Sequence, residues 1–264
     1  ELKARGMLDW LGFMIHPDGD LSFFNDTTLG VAPQYDQLKA YAQRVGIEHG
    51  PREPGRTRRL ADSRFMRVSS PDGRTLLLMD VGAPSPSYQP GHAHSESLSL
   101  EVSRDGRRVI VNSGVSTYED CADRLRQRQT AAHSTVRIDG EEQAELWSSH
   151  RCGRRCLLTR SGMDSEVVWG EHHGYAYLPG GPVHRRAVAV GDADLRIEDM
   201  LTGNGEHSAE IFFHLHPDVE ARKDDRSVEL FLEDRKIGSI IPREGCGARV
   251  EEGTWHPGFN LSVP

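Results

Sequence analysis

Three histidines, His92, His94 and His133, bracket the stretch of this chain richest in reactive side chains. His92 and His94 stand two apart in Gly91-His92-Ala93-His94-Ser95-Glu96. On an extended strand their imidazoles share one face. Behind them, Leu98–Val102 and Val109–Asn112 alternate in hydrophobicity about Asp105-Gly106, which predicts a β-hairpin. The return strand and Thr130–Val136 then bring Asn112 and His133 beside the first pair. Imidazoles held on a rigid sheet serve as metal ligands or as acid–base groups, and the residues alone leave both open.

The elements that must position these groups are mostly short strands. From Leu60 onward, apolar runs such as Phe65–Val68, Leu76–Val81, Val183–Val190 and Leu195–Met200 are separated by turn signals at Asp72-Gly73, Asp139-Gly140 and Gly180-Gly181. No helical pattern intervenes, which predicts a mainly β domain, an antiparallel sandwich. Ser116–Thr130 breaks the pattern and reads as a long exposed loop carrying Tyr118 and the alternating Arg124, Arg126 and Arg128. Ahead of the strands, Leu2–Ile15 and Pro33–Val45 have helical spacing. Two helices of this length cannot form their own core. The expected organisation is therefore a two-helix remnant at 1–48, a linker at 49–59 and a β domain at 60–264.

The net charge of −8 argues against a general nucleic-acid binder. It does not exclude an acidic glycan, because arginines cluster at 124–128, at 151–155 and at 185–186. For any single cluster a solvated face is the better account. Apolar content is 36% and mean hydropathy −0.57, and no run approaches the roughly 18 apolar residues of a membrane span. Four cysteines are too few for a disulfide framework; Cys152 and Cys156 read as buried thiols, with a bridge as the alternative.

Gly-His-Ala-His at 91–94, Val-Asn-Ser-Gly-Val at 111–115 and Thr-Ala-Ala-His-Ser-Thr-Val at 130–136 together resemble the core signature of the heparinase II/III-like polysaccharide lyases. His172-His173-Gly174-Tyr175, Phe213-His214-Leu215-His216-Pro217 and Trp255-His256-Pro257-Gly258-Phe259 follow in the family's order. The resemblance implies a C-terminal β-sandwich preceded by the end of an α/α toroid. It implies β-elimination on an acidic, uronic-acid-containing polysaccharide, in a bacterial protein of periplasmic or secreted location. Such a reaction needs a base for the proton at carbon 5, a proton for the leaving oxygen and a partner for the uronate carboxylate. By resemblance His92 is catalytic, several partners lie on the toroid, and the fragment alone is expected to be inactive. Tyr118 is the candidate acid–base tyrosine. Arg128 and Glu96 are candidate glycan contacts.

The resemblance also implies a structural metal, usually zinc, held at the positions of His94, Asn112 and His133. The family commonly has Asp where this chain has Asn112. A neutral amide is a poorer zinc ligand than a carboxylate, so the site is expected to be weak, and Asn112→Asp to tighten it. Glu96 or water are the stand-ins for the absent carboxylate. Two other functions fit the pattern: a non-catalytic carbohydrate-binding or scaffolding sandwich in exopolysaccharide metabolism, and a metal-dependent hydrolase. His214 and His216 alternate on one strand, but structural histidines account for them better than a second metal pair.

Overall fold

A computed structural model describes residues 2–47, 56–164 and 166–264. Two helices come first, α1 (Leu2–Phe13) and α2 (Tyr35–Arg44). Strands β1 (Thr57–Arg59), β2 (Phe65–Ser69), β3 (Thr75–Asp80), β4 (Leu100–Arg104) and β5 (Arg107–Val111) precede a short helix α3 (Ala122–Arg128). Then come β6 (Val136–Ile138), β7 (Leu146–Trp147), β8 (Arg151–Cys152), β9 (Leu158–Asp164), β10 (Val167–His172), β11 (Val183–Val190) and β12 (Leu195–Thr202). The chain closes with β13 (Ala209–Ile211), β14 (His214–Leu215), β15 (Val219–Lys223), β16 (Val228–Leu232) and β17 (Arg235–Ile240). Every ladder is antiparallel, as expected.

A six-stranded sheet in the order β1-β2-β3-β4-β5-β14 faces a four-stranded sheet, β12-β11-β10-β9, with the β15-β16-β17 sheet beside them. Met66, Leu77, Met79, Leu100 and Val102 pack with Val168, Val188 and Val190 of the second sheet and with Leu230 of the third. In β10 and β11, inward residues are buried and outward ones half-exposed in strict alternation, the signature of a sheet with one wet face. β3 is buried along its whole length because its other face is covered too. There Leu78 and Phe65 meet Phe13 and Met14 at the end of α1 and Phe24 of the following loop. The hairpin turn is as predicted: Asp105 and Gly106 both have positive φ, 51° and 82°, the left-handed pair a two-residue hairpin requires.

The N-terminal segment is thus fastened to the sheet. Arg67 caps the end of α1, donating to the carbonyls of Phe13 and Ile15 at 2.8 Å each. His16, fully buried, spans Ser103 Oγ (2.6 Å) and Glu101 Oε2 (2.9 Å). α2 crosses α1 where Gly12 leaves room for the Tyr35 ring; a Cβ there would lie 2.8 Å from the phenol oxygen. Most of the expected 49–59 linker lies outside the described residues, but Thr57–Arg59 forms edge strand β1. All four cysteines are free thiols, with Cys152 and Cys156 buried. Among the described residues no helix is long and apolar enough to cross a membrane.

Two expectations need correction. Gly91-His92 is not strand: Pro90–His92 forms a 3-10 turn, and β4 starts only at Leu100. The proline at the head of that turn suits helical geometry. Ser116–Thr130 is not a solvated loop, because it contains α3. In a helix, residues four apart share a face, so Arg124 and Arg128 turn inward together and are fully buried while Arg126 stays exposed.

Candidate active site

The site is built around Asp26, on the loop between the first two helices. Two buried carboxyls hold that loop against the sheet. Glu101 Oε1 accepts the Phe23 amide at 2.7 Å, and Glu96 Oε1 accepts the Asn25 amide at 2.6 Å. Asn25 takes a left-handed backbone, φ 51°, which asparagine tolerates better than most residues. The turn delivers the Asp26 carboxylate to the loop that carries the histidines.

Asp26 Oδ2 receives His92 Nδ1 at 2.6 Å, and Oδ1 receives His94 Nε2 at 2.8 Å. Arg124, entirely buried, pairs with both oxygens and also donates to the Ser149 carbonyl at 3.1 Å. Burial alone would raise the carboxyl pKa, but the hydrogen bonds from His94 and Arg124 outweigh it and hold the group well below the usual carboxylate range. An ionised carboxylate is an acceptor only, so each histidine must present its N–H to it. In its neutral form His92 therefore carries its proton on Nδ1 and keeps a lone pair on Nε2. His94 carries its proton on Nε2 and keeps a lone pair on Nδ1. One carboxylate sets opposite tautomers in two residues, although the 3-10 turn has placed them in different environments. The His92 side chain is 51% exposed and that of His94 is 1% exposed.

His92 opens onto a cleft of about 350 Å³ lined by Trp10, Met14, Phe24, Phe65, Asp26 and Tyr118. The Tyr118 ring lies 5.8 Å from that of His92, centroid to centroid, and 5.0 Å from the Arg124 guanidinium. Partial burial and the nearby Asp26 charge raise the phenol pKa against the opposing pull of Arg124, so Tyr118 keeps its proton. The sequence pair His92 and Tyr118 is brought together. Phe259, from the Trp-His-Pro-Gly-Phe motif, supports Tyr118 edge-on at 4.8 Å.

His94 points the other way. It forms a buried group with Glu96 and His133 whose possible ligand atoms all lie within 4.8 Å of one another. His94 Nδ1, Glu96 Oε2 and both ring nitrogens of His133 are buried without a hydrogen-bond partner. So many orphaned polar atoms in one place are costly unless something satisfies them. Burial lowers the pKa of both histidines, and that of His133 falls further beside His94, leaving both neutral. Burial, with Asp80 and Glu101 nearby, raises Glu96 well above the usual carboxylate range. Two neutral imidazoles and a carboxyl fit a divalent cation.

Other candidates land elsewhere. Asn112, expected as the third ligand, has both ends of its amide committed. Oδ1 accepts the Ser134 amide at 3.1 Å, and Nδ2 donates to Glu101 Oε1 at 3.4 Å. The carboxyl beside the two imidazoles is that of Glu96. That residue is fully buried and so is not placed for the glycan contact expected of it. Arg128, the other expected glycan contact, is likewise buried. Its guanidinium donates to the carbonyls of Ala93 (3.0 Å), Ser148 (3.1 Å) and Arg151 (3.2 Å). It serves as an internal strut because the helix turns it inward. His214 donates from Nε2 to the Ala131 carbonyl at 2.8 Å, as befits a structural residue. The sequence reading missed Asp26 and Arg124 as site residues. Nothing in the spacing of Asn25-Asp26 ties this loop to residues so far along the chain.

Comparison with known proteins agrees with this architecture. The heparinase III–BT4657 gene product superposes with a TM-score of 0.72 at 17% identity, over 97% of this chain and 42% of that one. The heparan sulfate lyase HepC from Pedobacter heparinus gives 0.69 at 17% identity, again over 97% and 42%. The chain thus spans about two fifths of the length of these structures, and at this identity the likeness is one of fold. No curated protein sequence matches significantly. The family described as heparinase II/III-like, C-terminal, matches residues 52–264, which include every β-strand, His92, Tyr118 and the His94–Glu96–His133 group. The chain belongs to the heparinase II/III-like C-terminal family.

Proposed function

We propose that this chain is the C-terminal part of a polysaccharide lyase that cleaves an acidic, uronic-acid-containing polysaccharide by β-elimination. The observation that carries the reading is the Asp26–His92 pair at the mouth of a cleft shared with Tyr118. With its proton on Nδ1 and bonded to Asp26, His92 offers the Nε2 lone pair to the hydrogen on carbon 5 of a uronate. Asp26 stabilises the imidazolium that forms, as a carboxylate does beside any histidine base. The electron pair of the broken C–H bond becomes the C4–C5 double bond, and the C4–O bond to the next sugar breaks. Tyr118, which keeps its phenol proton, is suited to protonate that leaving oxygen. The toroid expected to precede this chain would complete the cleft and neutralise the uronate carboxylate.

His94, Glu96 and His133 would hold a divalent metal, zinc by family resemblance. Bound there it would act structurally, satisfying the orphaned lone pairs and drawing the proton from Glu96. The test of function is the full-length protein incubated with uronate-containing polysaccharides and followed by the ultraviolet absorbance of the conjugated unsaturated product. His92→Ala and Tyr118→Phe should each lower kcat by about 100-fold or more. Tight glycan binding with no unsaturated product would favour the scaffolding alternative.

A further inference from the structure

Next to the His92 cleft lies a second depression of about 480 Å³, lined by Gln89, Pro90, Gly91, Trp147, His150 and Arg151 among others. It is a product of the β7–β8 ribbon. In that register Leu146 faces Cys152 and Trp147 faces Arg151. Residues paired across a ribbon share a face. The Leu146–Cys152 face packs inward on Ala93 and Ala144, which leaves the Trp147–Arg151 face outward. Trp147 is 47% exposed, yet its ring is seated: it lies against Gly153, where a Cβ would come within 2.9 Å of Cζ3, next to the Glu145 carboxylate, whose Oε2 accepts the Arg154 amide at 3.2 Å. The Arg151 side chain is exposed, and no acidic group pairs with it among the described residues. A seated aromatic face with an unpaired cation on the same side is suited to a sugar ring bearing a negative charge.

His150, which lines the depression, stands beside the rings of the candidate active site. The His150 Nδ1–H donates to the Gly91 carbonyl at 3.3 Å, which leaves Nε2 available. Its ring stands 6.4 Å from that of His92 and 5.7 Å from that of Tyr118. The three rings form a saddle between the two hollows.

Building on the lyase reading, we infer that Trp147, His150 and Arg151 form a separate subsite for an anionic sugar unit neighbouring the one over His92. Trp147 stacks on the pyranose face, and Arg151 pairs with a carboxylate or sulfate of that unit. The test is isothermal titration calorimetry of the whole chain with three tetrasaccharides: an unsulfated one containing glucuronate, its sulfated counterpart and neutral cellotetraose. The wild-type chain should bind an anionic tetrasaccharide more tightly than the neutral one, and the first two arms identify whether carboxylate or sulfate is read. Trp147→Ala should weaken binding about tenfold, as loss of an aromatic anchor does. Arg151→Gln should abolish the preference for charge. Both side chains are exposed, so unchanged thermal midpoints should accompany these losses. Wild-type affinity in both variants, or no binding of either anionic tetrasaccharide to the wild-type chain, would overturn the subsite. The lyase reading is scored separately by unsaturated product from the full-length protein. Loss of affinity in the variants without such product would overturn that reading and leave the subsite standing.

Discussion

Asp26 pairs through both oxygens with the buried guanidinium of Arg124, and it accepts two imidazole N–H groups as well. Asp26→Asn keeps the shape and removes the charge, stranding a fully buried arginine. The expected cost is about 3–5 kcal/mol in chemical denaturation, the usual result of breaking a buried pair. A second prediction concerns the metal. Glu96→Gln should lower the metal retained after dialysis, measured by plasma mass spectrometry, relative to wild type. Asn112→Asp instead places another carboxyl against Glu101 and removes an amide donor, which should cost about 1–3 kcal/mol of stability. Of the candidate site, His92 and His94 were legible from their short spacing, His133 through the order of the family's motifs, and Tyr118 from its place in the Ser116–Thr130 excursion. Asp26 was not, since its partners are 66 to 98 positions away, and only tertiary packing of the N-terminal loop joins them.

Strands and turns were the most legible elements. The β4–β5 hairpin could be read because Asp-Gly is one of few pairs that accept two left-handed residues in succession. Gly106→Ala should therefore cost about 1–2 kcal/mol, the penalty for a Cβ at positive φ. The helix at Ala122–Arg128 was illegible. Its buried face is made of Arg124, Gln127 and Arg128, so no apolar stripe marks it. What stabilises it inward is a set of backbone carbonyls from neighbouring turns. Arg128→Met should leave three of them without a donor and cost at least about 3 kcal/mol, seen as a lower urea midpoint. The 3-10 turn at Pro90–His92 escaped for a related reason: the alternation of His92 and His94 suits a strand, but Pro90 and the pull of Asp26 decide the backbone.

Across the whole molecule, buried histidines tie layers together. His172 Nε2 meets His184 Nδ1 at 3.0 Å, and His184 Nε2 meets Asp199 at 2.7 Å, with Arg186 forked onto the same carboxylate. Arg186 then reaches the carbonyls of Leu98 and Ser134 in the facing layer, at 3.0 and 2.7 Å. Burial lowers the pKa of His16, His172, His184 and His214, partly offset in His16 and His184 by Glu101 and Asp199. In the unfolded chain each titrates near pH 6.5, so between that value and the lower folded one only the unfolded state takes up a proton. The stability these groups contribute is complete above about pH 6.5 and is lost as pH falls below it. The buried carboxyls of Glu96 and Asp80, pushed up by burial, act in the opposite sense, so the urea midpoint should drop only from about pH 6.5 to about pH 5.5, where the protons taken up by the histidines on unfolding outnumber those the carboxyls release. A midpoint that is flat or rises over that window would contradict the buried neutral assignments. The sandwich itself was visible from the sequence, whereas this cross-layer network depends on registers that no single strand specifies.

The tautomers of His92 and His94 test most directly the claim that Asp26 organises the site. A long-range proton–nitrogen NMR correlation spectrum of the histidine-labelled chain, recorded above about pH 7.5 where free imidazoles are neutral, reports which ring nitrogen bears hydrogen. The proton is expected on Nδ1 in His92 and on Nε2 in His94, with the His92 pattern lost in Asp26→Asn. A wild-type spectrum with the His92 proton on Nε2, or one unchanged by Asp26→Asn, would contradict it.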